Sequence, residues 1–134
     1  MTPQFLLDTH VVIRWLTTPQ RLPKDQLRII RTEIARARPL AIAAITLLEI
    51  AALLTGGRTR FKTDPGDLLR ELEGSPTFTI LPITFQIAAE FAALGHHLRD
   101  PADRAIVATV RVHRLRLLTS DERIIESKLV PVAD

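Results

Sequence analysis

The sequence predicts a three-layer α/β/α domain built on a parallel sheet of four or five strands. Three observations predict it. Short apolar runs of strand length are each followed by a segment of helical periodicity, proline and glycine punctuate the boundaries, and the alternation continues along the chain without repeats or low-complexity stretches. With 134 residues, 46% of them hydrophobic, residues 1–134 fit one domain with its own core and leave no room for a second.

Residues 4–7 read as a buried first strand and 9–16 as a helix ending before Thr17-Thr18-Pro19. A second helix is expected from Pro23 to about Arg36. Its apolar face is set by Leu27, Ile30 and Ile34, and Pro39 ends the pattern. Residues 40–44 form the second strand and 46–54 a helix, stopped at Gly56-Gly57 and followed by a polar loop over 58–65. A short helix over 67–73 and the turn Gly74-Ser75-Pro76 lead to a third strand at 78–81. The helix expected over 84–94 carries Ile87, Phe91 and Leu94 on one side. Then follow a helix over 100–113, a strand at 115–119, a short helix over 121–127 and a last strand at 129–132.

The chain has no cysteine, which excludes disulfides, zinc–thiolate sites and thiol catalysis. Met1-Thr2-Pro3-Gln4 lacks a basic signal-peptide start, and the longest apolar region, 40–54, is interrupted by Thr46 and Glu49 and is too short to span a bilayer. A cytoplasmic address, off the membrane, is the expectation. The net charge of +3 and pI near 10.2 come mainly from arginines, with Arg28, Arg31, Arg36 and Arg38 in one segment and Arg111, Arg114 and Arg116 in another. Singly these read as solvated helix faces; together they make a surface that attracts polyanions. Aromatics are only 4% of the chain, so base-stacking platforms are not expected.

Inside that basic exterior, Asp8, Glu49, Asp103 and Asp121 each sit where a strand-like run meets a helical pattern, an arrangement that gathers them at one edge of a parallel sheet. Each also has a bland explanation. Thr46-Leu47-Leu48-Glu49 is a capping box by sequence, and Asp100-Pro101-Ala102-Asp103 combines an N-cap, a first-turn proline and a first-turn acid. Capping explains each acid separately but not why all four fall at the same end of one sheet. Crowded carboxylates repel one another unless a cation sits among them, and a hard divalent metal suits oxygen donors. Thr119 either orients a carboxylate or caps the following helix. His10 reads first as a structural hydrogen-bonding residue, Trp15 as core, and His96-His97 as a solvated turn.

Leu6-Leu7-Asp8-Thr9-His10, Ile45-Thr46-Leu47-Leu48-Glu49-Ile50, the segment from Leu98 to Ala108 around Asp100 and Asp103, and Leu118-Thr119-Ser120-Asp121-Glu122 resemble, in order, the motifs of the PIN-domain ribonucleases. More narrowly they resemble the VapC-type toxins of bacterial toxin–antitoxin pairs. The resemblance covers essentially the whole chain. It implies a Mg²⁺- or Mn²⁺-dependent endoribonuclease, neutralised by a small VapB-type antitoxin and usually a homodimer. By the same match Asp8, Glu49, Asp103 and Asp121 carry over as the acidic, metal-holding site, with Thr119 as its hydroxyl companion and Asp100 as a neighbouring acid. Thr46 stands where many relatives have serine, which keeps the hydroxyl; Ala102 stands where phenylalanine is common, which alters packing near Asp103. Arg14 and Arg104 are the candidate contacts to RNA phosphates.

Two other classes compete with a nuclease. One is a catalytically weak RNA-binding or partner-binding module that keeps the acids for folding or for a cationic partner. The other is a phosphotransfer receiver domain, ranked last because the chain lacks an acid pair directly after the first strand and a lysine at the end of a late strand.

Overall fold

The structure, a computed structural model, describes residues 1–55 and 64–133. Strands β1 (Phe5–Leu7), β2 (Leu40–Ala43), β3 (Phe78–Leu81) and β4 (Arg116–Leu118) form one all-parallel sheet in the order β3-β2-β1-β4. Between and after them run α1 (Thr9–Thr17), α2 (Lys24–Ala35), α3 (Ala44–Thr55), α4 (Pro65–Gly74), α5 (Phe85–Leu94), α6 (Pro101–His113) and α7 (Glu122–Ser127). Single-turn 3₁₀ segments lie at Pro19–Arg21 and Gly95–His97.

Because side chains alternate across a strand, neighbouring residues serve opposite cores. Leu6, Ala41, Ala43 and Leu117 pack with Ile87 and Leu94 of α5, Ile106, Val107 and Val110 of α6 and Ile124 of α7. Leu7, Leu40, Ile42 and Leu118 pack on the other side with Val11 and Val12 of α1, Ile30 of α2, Ile50 of α3 and Leu68 and Leu72 of α4. Trp15 is half-buried against this second core. These are the three expected layers.

Four local expectations are corrected. Residues 129–132 form no strand but a single parallel bridge, Leu117 to Val132. Lys128 turns the chain through a left-handed conformation (φ 56°) and Pro131 has no N–H to give, so only its carbonyl joins the edge, accepting from Leu117 N at 2.9 Å. Helix α4 starts at Pro65 rather than 67, because Asp64 caps it by accepting from the Gly66 amide. Of the expected apolar face of α2, Ile30 is buried and Leu27 packs against the same core, but Ile34 is exposed, and Gln26 and Glu33 are buried instead. Gln26 is drawn inward by the segment after β4 and Glu33 by Arg38. Finally, α3 follows β2 without a break from Ala44, so Thr46 and Glu49 are not its capping box. The stop at Gly56-Gly57 and most of the loop expected over 58–65 lie outside the described residues.

Candidate active site

Parallel strands all end at the same edge, and that edge is where the acids meet. Asp8 directly follows β1, Thr119 and Asp121 follow β4, and Thr46 and Glu49 lie on the first turns of α3 after β2. Helix α6 packs antiparallel to the strand it feeds, so its N-terminus, with Asp100 and Asp103, returns to the same edge. The chain order reverses between β1 and β4, which makes this the topological switch point of the sheet, the usual crevice for a ligand in an open α/β fold.

Asp8 is 4% exposed and fully engaged. Its Oδ1 accepts from the Thr9 amide at 2.9 Å, and its Oδ2 accepts from Thr119 Oγ1 at 2.6 Å. His10 Nδ1 lies 3.3 Å from the same Oδ2, while His10 Nε2 accepts from the Ser120 amide at 3.0 Å. An imidazole that accepts at one nitrogen and faces a carboxylate with the other is neutral and donating through Nδ1. Burial lowers its pKa, aided by the Arg14 charge and opposed by Asp8 and Asp121, which agrees with that tautomer. Thr119 does both things expected of it: it donates to Asp8 and accepts from the Asp121 amide at 3.0 Å, opening α7.

A second group hangs on Thr9. Its hydroxyl donates to Glu49 Oε1 and stands 2.9 Å from Thr46 Oγ1. Burial raises the Glu49 pKa and the charges of Asp8 and Asp100 push the same way, against the Thr9 hydrogen bond. The third group sits on helix N-termini. Asp100 caps α6 by accepting from the Asp103 amide at 3.0 Å, and Asp121 caps α7 by accepting from the Arg123 amide at 2.9 Å. Asp103 is pushed up to about 6 by burial and by the charges of Asp100, Asp121 and Asp8, with Arg123 opposing. Burial also pulls Asp121 upward, but its hydrogen bonds to the Arg123 side chain and backbone hold it below the ordinary carboxylate value.

Two residues not singled out in the sequence belong here. Arg123, with a 72% exposed side chain, bridges Asp121 Oδ2 at 3.3 Å and Asp103 Oδ2 at 3.4 Å. A cation in the first turn of a helix opposes the helix dipole, and that mismatch was a readable hint of a nearby carboxylate partner. Gln26 reaches from α2 to donate to the Thr119 carbonyl at 3.2 Å, steadying the segment that carries Thr119. Of the candidate phosphate contacts, Arg14 lies close enough to His10 for its charge to act on the imidazole. Arg104 is engaged elsewhere, with its Nε donating to the Leu98 carbonyl at 2.9 Å and its guanidinium 4.5 Å from the centroid of the Phe91 ring.

The donor set is all oxygen, and Glu49 and Asp103 are raised first by burial and then by neighbouring carboxylates, a charge crowding that a hard divalent cation relieves. In this geometry no three His, Asp or Glu side chains among the described residues converge closely enough to hold an ion together. The acids therefore fit a metal in the chemistry of their oxygen donors and share one edge of the sheet, while Arg123 bridges two of them and partly neutralises their charge.

A family model described as PIN domain matches residues 5–128. The chain is 36% identical over 120 residues to Ribonuclease VapC22 of Mycobacterium tuberculosis, covering 89% of this chain and 88% of that protein. Among solved structures it is similar in fold to VapBC2 from Rickettsia felis bound to a promoter DNA fragment, with a TM-score of 0.73 and 13% identity over 98% of this chain and 97% of that one. It is also similar in fold to FitAcB from Neisseria gonorrhoeae, with a TM-score of 0.71 and 24% identity over 97% and 96% of the two chains.

Proposed function

The chain belongs to the PIN-domain family as a VapC-type member, and from that premise we propose that it is a divalent-metal-dependent endoribonuclease, the toxin of a toxin–antitoxin pair. The observation that carries the reading is the meeting of Asp8, Glu49, Asp103 and Asp121 at the switch point of the sheet, with Asp103 raised to about 6 by burial and its acidic neighbours. Residues 1–134 act as one unit, and the protein works in the cytoplasm. No helix among the described residues is long and apolar enough to cross a membrane.

Asp8 and Asp103 would be the principal holders of Mg²⁺ or Mn²⁺, with Glu49 and Asp121 completing the set. A bound divalent ion would supply Lewis-acid polarisation of the phosphoryl group and a more acidic water. The chain's own contribution is positioning. Thr119 and the Thr9 amide fix both oxygens of Asp8, Thr9 holds Glu49, and His10 ties Asp8 to the Ser120 backbone. The helix N-termini carrying Asp100 and Asp121 add positive ends of dipoles beside the incoming phosphodiester.

A VapB-type antitoxin inhibits by placing an arginine or lysine among the same acids, and the toxin itself pairs as a homodimer. Incubation of a total RNA pool with the purified protein, with and without Mg²⁺ or Mn²⁺, followed by mapping of cut ends, tests the reading. Discrete metal-dependent cuts that vanish in a folded Asp8→Asn variant are expected, and full cutting by that variant would remove the site assignment.

A further inference from the structure

The basic residues at the far end of β4 have no part in the acidic pocket. There the described residues line an open surface depression of about 480 Å³, with Leu129 and Pro131 on its accessible apolar side and Arg111, Arg114 and Arg116 around it. Arg111 is pinned: its Nε donates to Glu90 Oε1 at 2.6 Å and its Nη1 to the Leu129 carbonyl at 2.6 Å. Arg114 and Arg116 are exposed and form no ion pair among the described residues; the Arg116 guanidinium lies 6.0 Å from the centroid of the Phe5 ring. The lining thus carries three guanidinium groups against one carboxylate. Compensation of the α6 C-terminal dipole accounts for Arg111 and Arg114, but Arg116 is on a strand.

Planar guanidinium groups beside the accessible hydrocarbon of Leu129 and Pro131 fit a nucleotide, whose phosphate takes paired N–H donors. The position suits a long substrate. Arg116 opens β4 and Thr119 follows its end, about 10 Å apart at the usual rise per strand residue. We propose that this depression is a second RNA-binding site, holding a phosphodiester several nucleotides from the bond that is cut. The substrate class rests on the nuclease reading above.

The test compares the wild type with the Arg114→Gln, Arg116→Gln double variant, which changes only exposed side chains. Fluorescence anisotropy in EDTA follows binding of a labelled oligouridylate long enough to reach from the acidic pocket to the depression, and of the trinucleotide UpUpU. The variant is expected to bind the long RNA about tenfold more weakly, with a salt slope smaller by about 1.4 for two lost phosphate contacts on a single strand, and to bind the trinucleotide as the wild type does. An unchanged affinity and slope for the long RNA would overturn the proposal. So would intact RNA binding combined with loss of a co-purified protein partner, which would give the depression to a protein. A wild type that binds RNA through these arginines but cuts none with Mg²⁺ or Mn²⁺ would sink the nuclease reading and leave the RNA site standing.

Discussion

The two halves of the acidic pocket are built differently. The inner half, Asp8 and Thr119 at strand ends with Thr9 and His10 on α1 and Thr46 and Glu49 on α3, is cross-linked by side-chain hydrogen bonds between distant parts of the sequence. The helix-borne half, Asp100, Asp103 and Asp121 with Arg123, stands at the rim, held by capping amides and by one exposed guanidinium. The first half has its geometry fixed by the fold. The second keeps its charge adjustable, so the frame and the variable part of a phosphodiester site are divided between an inner half and a rim.

The sharpest way to separate the halves is to neutralise one acid in each. Asp8→Asn and Asp103→Asn are both expected to lower RNA cleavage by orders of magnitude, since an amide keeps the shape and loses the ligand charge. Their stabilities should diverge. Asp8→Asn replaces an oxygen acceptor of buried hydrogen bonds by an amide and should lose about 1–3 kcal/mol, whereas Asp103→Asn relieves repulsion and should raise the melting temperature in metal-free buffer. Thermal denaturation followed by circular dichroism decides it, and equal shifts of the same sign would erase the distinction.

Thr119→Val probes the frame without touching an acid. It removes the donor to Asp8 and the acceptor of the Asp121 amide, and the expected outcome is about a ten- to hundredfold loss of cleavage, as for groups that orient metal ligands. A variant that melts lower yet cleaves at the wild-type rate would show that Thr119 serves folding alone.

The rim should also reveal itself through pH. The folded pKa of Asp103 is raised from 3.8 to about 6, so the folded state holds this proton more tightly than the unfolded chain. Its contribution to stability is present in full below about 4 and lost as pH rises through about 6. In metal-free buffer the stability advantage of Asp103→Asn over the wild type should therefore grow across that interval and then level off. Denaturant titrations at stepped pH measure it, and a constant difference would contradict the assigned titration. The smallest effect is expected from Arg123→Gln. Removal of the guanidinium that opposes the acidic neighbours should move the Asp103 midpoint upward, as read from its carboxyl carbon by NMR.

The alternation of strands and helices was legible because apolar runs and helical periodicity are local signals, and the acids were legible because strand ends in a parallel sheet are forced to one edge. What the sequence hid depends on tertiary neighbours. On α2, Ile34 stays exposed while Gln26 and Glu33 are buried, because those two have polar partners that no periodicity reveals. The capping box at Thr46 and Glu49 dissolved because α3 starts at Ala44 and both side chains face Thr9 across the pocket. Arg104 bears a charge that suits phosphate, yet the Leu98 carbonyl and the Phe91 ring take up its guanidinium.

The sheet order has a consequence for synthesis. β1 lies between β2 and β4, and its residues Phe5, Leu6 and Leu7 pair with Arg116, Leu117 and Leu118 across nearly the whole chain. Asp8 therefore waits, without Thr119, until the end of the domain has left the ribosome. Contacts of such sequence separation form late, because a long loop must close before any of them is made. The acidic pocket becomes complete only when the first and last strands meet.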